Sequence, residues 1–201
     1  MRSKLLWTVP NILTWIRIAA IPLIVLLFYA PYQWADPDAG LLFAAAGITD
    51  SLDGYLARRL NQTSRLGAFL DPVADKLVVA VALVLLLSKD ATPLFGMPSD
   101  RARMLMALTA IVIIGREIAI SALREWMAEL GQRAKVAVSG IGKFKTILQI
   151  IGLSMMLYRY DLIGLPIFSI GAVLTVLAAA LTLISMVSYL RAAWPELRRT
   201  G

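Results

Sequence analysis

Six apolar runs, separated by short polar or Pro- and Gly-containing segments, dominate the pattern of this chain. The longer runs approach the roughly 20 apolar residues that a helix needs to cross a bilayer, and the shorter ones can extend or tilt. The pattern therefore predicts an all-α integral membrane protein with six transmembrane helices and both termini on one side. The runs are Ile18–Tyr29, Leu41–Leu56, Leu70–Leu87, Met104–Leu123, Ile147–Tyr158 and Leu165–Leu190.

The segment before the first run has a different pattern. Leu5 to Arg17 mixes aliphatic residues with Trp7, Trp15 and polar side chains, and Pro10 suits the first turn of a helix. Tryptophan favours the headgroup level of a membrane, and helices of mixed polarity lie in the interface. We therefore predict an N-terminal interfacial amphipathic helix over residues 5–17, followed by the first span.

The composition agrees with a membrane protein and narrows the chemistry. Hydrophobic residues make up 59% of the 201 residues and charged residues 16%, whereas soluble domains have roughly 45–50% apolar residues. The chain contains no cysteine and no histidine, which excludes disulfides, thiol nucleophiles and histidine bases or ligands. Any reaction must therefore use carboxylates, lysines, arginines or hydroxyl groups.

Basic residues give the chain a net charge of +7 and set its predicted orientation. In an apolar chain such an excess usually faces anionic lipid headgroups, and no nucleic-acid fold signature is present, so we expect no nucleic-acid partner. The positive-inside rule predicts cytoplasmic termini and a cytoplasmic loop at Asn61–Leu66. In that orientation the only lysines and arginines on the outer side are Lys89, Arg101, Arg103 and Arg159.

Four aspartates lie in and around the polar segment between the second and third runs. Asp50 and Asp53 are three positions apart and Asp71 and Asp75 are four apart, so on helices each pair shares one face. Two antiparallel helices would bring the faces together, and facing carboxylates repel one another unless cations lie between them. Because Mg²⁺ and Mn²⁺ prefer oxygen ligands, the spacing predicts a divalent-metal site.

Two other interpretations of the aspartates stay open at this point. They could line a transport pathway for a divalent cation, or they could be helix caps and ion-pair partners of basic neighbours. Ionisable residues at membrane depth are functional by default, which favours a metal site or a pathway over caps. The basic neighbours are Arg58, Arg59, Arg65 and Lys76.

The aspartates belong to a longer pattern of fixed spacing. This pattern resembles the signature of the CDP-alcohol phosphatidyltransferase family at every position: Asp50-x2-Asp53-Gly54-x2-Ala57-Arg58-x8-Gly67-x3-Asp71-x3-Asp75. Eight fixed positions make the match far more specific than a single glycine motif. The resemblance extends over the whole chain, and bacterial members that use a glycerol phosphate acceptor are similar in the segments "PNILTWIRI", "REIAISALREWMAELG" and "GKFKT".

The resemblance implies a single membrane domain over residues 1–201 that acts as an enzyme, usually as a homodimer. Members of the family transfer a phosphatidyl group from CDP-diacylglycerol to an alcohol and release CMP. For the most similar members the alcohol is sn-glycerol 3-phosphate and the product is phosphatidylglycerophosphate, while serine, inositol phosphate and phosphatidylglycerol remain alternative acceptors. We expect direct displacement assisted by two divalent cations, Mg²⁺ or Mn²⁺, at a bacterial inner membrane with the site facing the cytoplasm.

The family signature also implies roles for individual residues. Asp50, Asp53 and Asp71 resemble metal ligands, and Asp75 resembles both a ligand and the general base. Either glycine of the signature alone is typical of close helix packing, but their registration with the aspartates favours nucleotide binding. The positions that resemble binding residues for CDP-diacylglycerol are Gly54, Ala57, Arg58 and Gly67, joined by Ser64, Asn11 and Thr14.

Basic side chains recur on the fourth run and in the segment that follows it. A glycerol phosphate acceptor carries a dianion, which arginine forks and lysine ammonium groups bind. For Arg116, an internal ion pair with a glutamate is an equally supported alternative, because an unpaired guanidinium inside a bilayer is costly. The residues expected to hold the acceptor phosphate are Arg116, Arg124, Lys143 and Lys145.

Overall fold

The computed structural model describes residues 9–60, 65–89, 92–131 and 140–198. All regular structure in these residues is α-helical, which confirms the predicted fold class, and each apolar run lies within one helix or nearly so. The helices extend beyond the runs at one or both ends. They are α1 (Val9–Tyr29), α2 (Ala35–Leu60), α3 (Arg65–Ser88), α4 (Ser99–Glu129), α5 (Gly140–Tyr158) and α6 (Ile167–Leu197).

Three of these helices contain segments long and apolar enough to cross a bilayer. The segments are Asn11–Tyr29, Ser99–Glu129 and Ile167–Pro195. α5 has a shorter apolar part, Phe144–Tyr158, whereas α2 and α3 carry aspartates within their length. The chain is therefore a membrane protein with three candidate spans in the described residues, and the predicted count of six is not confirmed.

α1 is one continuous helix across the predicted boundary between interfacial helix and span. Asn11, Thr14 and Arg17 recur at every third position of α1, and all three are buried. α1 packs against α2 and α3, so this polar face is covered by protein. The separate interfacial helix over residues 5–17 is therefore not confirmed, and its part before Val9 lies outside the described residues.

The helices form two compact units, of which the first comprises Met1–Asp90 and Leu153–Gly171. α1 contacts both α2 and α3 in this unit. Apolar side chains fill the part of the unit away from the aspartates, and Ile24, Phe28 and Phe43 are almost completely buried there. Helices in a membrane associate through close packing of such side chains rather than through their transfer from water, so this packing fixes α1 beside the aspartate-bearing helices.

α2 also makes a close backbone contact with the end of α5 in the first unit. A Cβ atom added at Gly40 would lie 2.6 Å from the Tyr158 backbone nitrogen and 2.9 Å from the Ser154 carbonyl oxygen. Beyond this contact the Tyr160 hydroxyl donates a hydrogen bond of 2.8 Å to the Gln33 carbonyl. The absence of a side chain at Gly40 therefore allows α2 and α5 to pack at this distance.

The second unit comprises Ala91–Gly152 and Ala172–Gly201. α4 and α6 meet in it through a buried apolar cluster, with Leu123, Trp126 and Met186 packed around it. The cluster lies next to the basic residues of α4 along the chain and fixes the side of α4 that faces α6. Its buried members are Ile120, Met127, Tyr189 and Ala193.

Two turns of the same shape precede α4 and α6. Each is a four-residue turn closed by a backbone hydrogen bond, over Leu94–Met97 and Leu162–Leu165. The second and third residues of each have positive φ, and the third is glycine, which adopts such angles without a steric penalty. The second residues, Phe95 and Ile163, are exposed, and Ile163 is 97% accessible. Both turns therefore present an apolar tip.

Candidate functional sites

The buried polar face of α1 meets the aspartates of α2 and α3. The Arg17 side chain is 2% exposed, and its Nη1 atom lies 3.0 Å from Asp50 Oδ1 and 2.6 Å from Asp75 Oδ1. A guanidinium stays charged in proteins, and a buried charge needs a partner. Arg17 therefore links one aspartate of each predicted pair through a single nitrogen.

Asp71, the other aspartate of α3, is also held by α1. The Thr14 hydroxyl donates a hydrogen bond of 2.5 Å to Asp71 Oδ1, and Thr14 is 1% exposed. Asp71 and Asp75 are one helical turn apart, as are Thr14 and Arg17, so successive turns of the two helices are joined. We call Thr14, Arg17, Asp50, Asp71 and Asp75 the carboxylate site.

The structure describes the remaining residues of the signature only in part. The backbone of α2 continues through Asp53 to Leu60, and Gly67 is buried in the first turns of α3. The side chains of Asp53, Ala57 and Arg58 lie outside the described part of the structure, and so does Ser64. The structure thus brings three of the four predicted aspartates together on the polar face of α1.

The described side chains can be compared with what a divalent cation requires. Among the described side chains, no group of three or more acidic residues has the arrangement of a metal centre. Asp50 and Asp75 instead share the Arg17 guanidinium. The fourth predicted ligand, Asp53, has its side chain outside the described residues. The donors are carboxylate oxygens from two helices already gathered on one cation, and this donor set fits Mg²⁺ or Mn²⁺.

A second polar cluster lies inside the second unit. Arg116 Nη1 pairs with Glu117 Oε1 at 2.7 Å, and its Nη2 donates a hydrogen bond of 3.2 Å to the Ser185 hydroxyl. Lys145 of α5 lies 3.7 Å from the same Glu117 oxygen. The Arg116 and Lys145 side chains are each 5% exposed. Two buried cationic side chains therefore lie beside the single carboxylate of Glu117.

Arg124 joins this cluster through an aromatic ring. Its Nη2 atom donates a hydrogen bond of 2.9 Å to the Tyr189 hydroxyl, and its guanidinium carbon lies 5.0 Å from the centre of the Tyr189 ring. The Arg116 guanidinium lies 5.8 Å from the same ring. Tyr189 therefore orients two arginines by cation–π contacts. We call Arg116, Glu117, Arg124, Lys145, Ser185 and Tyr189 the basic cluster.

The basic cluster has more positive charge than its own carboxylate can neutralise. It contains three cationic side chains and one glutamate, and among the described residues Lys145 Nζ, Arg116 Nε and Arg124 Nε are buried without a hydrogen-bond partner. Buried cations of this kind are costly unless an anion accompanies them. The predicted ion pair of Arg116 with a glutamate is present, and three cations around one carboxylate leave the cluster with an excess of two positive charges. The Lys143 side chain lies outside the described residues.

Comparison with known protein families agrees with the signature found in the sequence. A profile of the CDP-alcohol phosphatidyltransferase family matches residues 7–189, which is most of the chain. The chain belongs to the CDP-alcohol phosphatidyltransferase family. This confirms the resemblance, and the matched residues include all members of the carboxylate site and of the basic cluster.

Curated relatives within the phosphatidyltransferase family are similar over nearly their whole length. A protein of Pseudomonas fluorescens is 46% identical over 194 residues, covering 96% of this chain and 93% of its own. Proteins of Shigella flexneri serotype 5b and Salmonella typhimurium are 46% identical over 191 residues, covering 95% of this chain and 97% of theirs. All three are named CDP-diacylglycerol–glycerol-3-phosphate 3-phosphatidyltransferase.

The structure adds residues to both sites that the sequence analysis did not single out. Arg17 is absent from the family signature, although its spacing with Asn11 and Thr14 marks a common helix face. Ser185 and Tyr189 lie in an otherwise apolar helix, and their four-residue spacing places them on one face. Only the contact between α4 and α6 reveals that this face meets the arginines of the phosphatidyltransferase.

Proposed function

We propose that this phosphatidyltransferase transfers a phosphatidyl group from CDP-diacylglycerol to sn-glycerol 3-phosphate, giving phosphatidylglycerophosphate and CMP. The names of relatives that are 46% identical over almost the whole chain support this reaction. The structural observation that carries the choice of acceptor is the excess of buried positive charge in the basic cluster. A phosphate monoester dianion matches that excess, whereas a neutral alcohol would leave it unbalanced.

The carboxylate site holds two divalent cations in this proposal. Asp50, Asp53, Asp71 and Asp75 supply the ligands by motif position, and the oxygen-only donor set favours Mg²⁺ or Mn²⁺. When bound, such cations neutralise the diphosphate and favour attack at its phosphorus. The hydrogen bond from Thr14 and the contacts of Arg17 orient three of the carboxylates. A chelator should therefore abolish activity, and added Mg²⁺ should restore it.

Asp75 is the general base in this proposal. It accepts the proton of the acceptor hydroxyl as the hydroxyl oxygen bonds to the β-phosphorus, and the bond from that phosphorus to the CMP oxygen breaks. The chain has no cysteine or histidine, which favours direct displacement over a phosphatidyl-enzyme. Radiolabel from CDP-diacylglycerol should therefore be absent from protein denatured without acceptor, and covalent label would contradict direct displacement.

Substrate binding is divided between the two sites. Residues of the family signature bind the cytidine nucleotide, joined by Asn11 and Thr14 on the polar face of α1. The acceptor phosphate binds Arg116, Arg124 and Lys145 of the basic cluster, with Lys143 added by its place in the sequence. The nucleotide-binding positions are Gly54, Ala57, Arg58, Gly67, Ser64, Asn11 and Thr14.

The membrane arrangement follows from the distribution of charge. All six helices span a bacterial inner membrane with both termini and the substrate sites on the cytoplasmic side, because basic residues concentrate there. α2 and α3 cross the membrane with their aspartates near the cytoplasmic surface and their polar face covered by α1. The enzyme works as a homodimer, as the family resemblance implies.

The direct test is CMP release by the purified protein in detergent with CDP-diacylglycerol and Mg²⁺. Four acceptors are offered separately: glycerol 3-phosphate, serine, inositol phosphate and phosphatidylglycerol. We expect release with glycerol 3-phosphate alone and its loss in Asp75→Asn. Release with another alcohol would keep the reaction and overturn the acceptor. No release with any of them, combined with metal flux in vesicles, would favour cation transport instead.

A further inference from the structure

Arg17 lies in the carboxylate site but outside the family signature, and the proposed reaction gives its positive charge no role. It is a permanently charged side chain that is almost fully buried, and it joins α1 to aspartates of both α2 and α3. Arg17 engages two carboxylates through one nitrogen atom. These two carboxylates belong to different helices and to the proposed metal ligands.

The contact geometry resembles that of a bridging cation. One nitrogen, Nη1, lies within 3.0 Å of Oδ1 atoms of both Asp50 and Asp75. A cation that binds the same two oxygens must share them with the guanidinium or displace it. The guanidinium has little freedom to leave, because its side chain is 2% exposed. Arg17 and a divalent cation therefore compete for Asp50 and Asp75.

The charges of the site show when this competition matters. With Asp53 added as the fourth proposed ligand, the aspartates and Arg17 together carry three negative charges, so a first dication leaves the site with one negative charge. A second dication would make the site positive, which opposes its binding. The diphosphate of CDP-diacylglycerol brings negative charge that reverses this penalty. Occupancy of the second position thus becomes coupled to the nucleotide.

We propose that Arg17 is a positioning residue that acts as a built-in competing cation and makes full metal occupancy depend on the nucleotide diphosphate. In the absence of nucleotide Arg17 keeps Asp50 and Asp75 together and limits metal binding. When the nucleotide is present, its diphosphate compensates the added positive charge. This inference rests on the proposed function, because it assumes that the aspartates bind divalent cations.

The inference predicts opposite changes in two measurable quantities. Arg17→Gln removes the competing charge and keeps a polar side chain, so Mn²⁺ should bind at least about tenfold more tightly without nucleotide. The increase in Mn²⁺ affinity caused by nucleotide should shrink by a similar factor. Arg17→Lys keeps the charge on a shorter side chain with a single ammonium group, so its Mn²⁺ affinity should lie between those of the other two proteins.

The experiment measures free Mn²⁺ by electron paramagnetic resonance while it is titrated into the full-length protein in detergent. Each protein is titrated with and without cytidine diphosphate, and a protein-free blank corrects for ions held by the nucleotide. Arg159→Gln is the matched control, because it removes a cation that lies over the Phe168 ring and is not part of the carboxylate site. Asp75→Asn identifies the ions bound at the carboxylate site.

The outcomes separate this inference from the proposed function. Tighter Mn²⁺ binding by Arg17→Gln with reduced nucleotide dependence supports it, provided that Arg159→Gln behaves as the unmodified protein. Equal binding and equal nucleotide dependence in Arg17→Gln overturn it while leaving the metal site intact. If no protein binds Mn²⁺ in a manner sensitive to Asp75→Asn, the metal site itself is wrong. If Arg17→Gln fails to fold, the test is the nucleotide dependence of Mn²⁺ binding by the unmodified protein. Mn²⁺ affinity that is the same with and without cytidine diphosphate overturns the inference.

Discussion

The Thr14 hydroxyl and the Arg17 guanidinium perform different tasks on neighbouring turns of one helix. Thr14 donates to a single carboxylate oxygen of Asp71, and hydrogen bonds to charged acceptors contribute about 1.5–3 kcal/mol. Arg17 places charge between two helices. Thr14 orients a proposed metal ligand, whereas Arg17 changes the electrostatic environment of all the proposed ligands.

Thr14→Val should weaken the use of Mg²⁺ without unfolding the protein. Valine has nearly the same shape but lacks the hydroxyl, so Asp71 loses its donor and becomes less well oriented. We expect the Mg²⁺ concentration for half-maximal activity to rise about three- to tenfold. Thr49→Val is the control, because the Thr49 hydroxyl bonds to the Ala45 carbonyl of its own helix. An equal Mg²⁺ response in both variants would contradict the role of Thr14.

Individual site residues could be predicted from the sequence where their spacing places functional groups on one helix face. The four aspartates stand out because acidic residues are rare in apolar segments and their spacing fits helix faces. The partners of these residues were not predictable in the same way. Arg17 lies 58 positions from Asp75, and the order of residues along the chain does not determine which helix faces meet.

Helix α2 illustrates how one missing side chain sets the distance between elements. The atoms nearest to a Cβ at Gly40 all belong to the backbone of α5, with the Tyr158 Cα at 2.8 Å. Backbone atoms cannot rotate away as a flexible side chain can. The contact between α2 and α5 therefore depends on glycine at this position more than on the apolar character of the helices.

Gly40→Ala should destabilise the protein although alanine is the better helix former. Overpacking of this kind costs about 1–3 kcal/mol, which exceeds the gain of roughly 0.5–1 kcal/mol from alanine in a helix. Gly115→Ala in α4 is the control, since no atom lies within 4 Å of its added Cβ. Thermal unfolding in detergent should show a lower midpoint for Gly40→Ala than for the unmodified protein, and no such decrease for Gly115→Ala. Equal midpoints would contradict the close packing.

α1 shows why a polar pattern alone does not determine what surrounds a helix. Polar residues before an apolar run predict a helix in the membrane interface, but the same residues face α2 and α3 in the structure. A polar helix face can cover headgroups or a protein site, and both give the same periodicity. The neighbouring helix determines which of the two applies.

The whole molecule combines three strongly apolar helices, α1, α4 and α6, with the less apolar α2, α3 and α5. Polar side chains on helices of both kinds carry the candidate chemistry. Length and hydropathy were sufficient to predict a membrane protein made of helices. They could not fix the number of spans, because α2 and α3 contain charged residues, and a bilayer tolerates such residues only where protein contacts cover them. Charge on the loops is an independent guide to topology.

Single cysteines should report an alternating topology. The chain has no native cysteine, so an impermeant maleimide labels only the introduced one. In intact spheroplasts we expect labelling at the outer positions, and at the inner positions only after permeabilisation. Labelling of Leu130→Cys and Ile163→Cys from the same side would contradict a span at α5. The outer positions are Tyr32, Phe95 and Ile163, and the inner positions are Leu130 and Arg198, all exposed in the structure.

The division of labour between the two sites is the central claim for the whole molecule. The carboxylate site should set the rate of the chemical step, since a lost general base typically costs about 10²–10⁴-fold. The basic cluster should set the affinity for the acceptor, since a charged hydrogen bond is worth about 1.5–3 kcal/mol. Variants of the two sites should therefore change different kinetic constants.

The most direct test is the rate of CMP release against glycerol 3-phosphate concentration for three variants. Lys145→Met should raise the KM for glycerol 3-phosphate at least about tenfold with little change in kcat, whereas Asp75→Asn should lower kcat at least about 100-fold. Arg198→Gln, which removes an exposed cation stacked on Trp194, should change neither constant. An unchanged KM in Lys145→Met, or an unchanged kcat in Asp75→Asn, would contradict the assignment of acceptor binding and catalysis to these two sites.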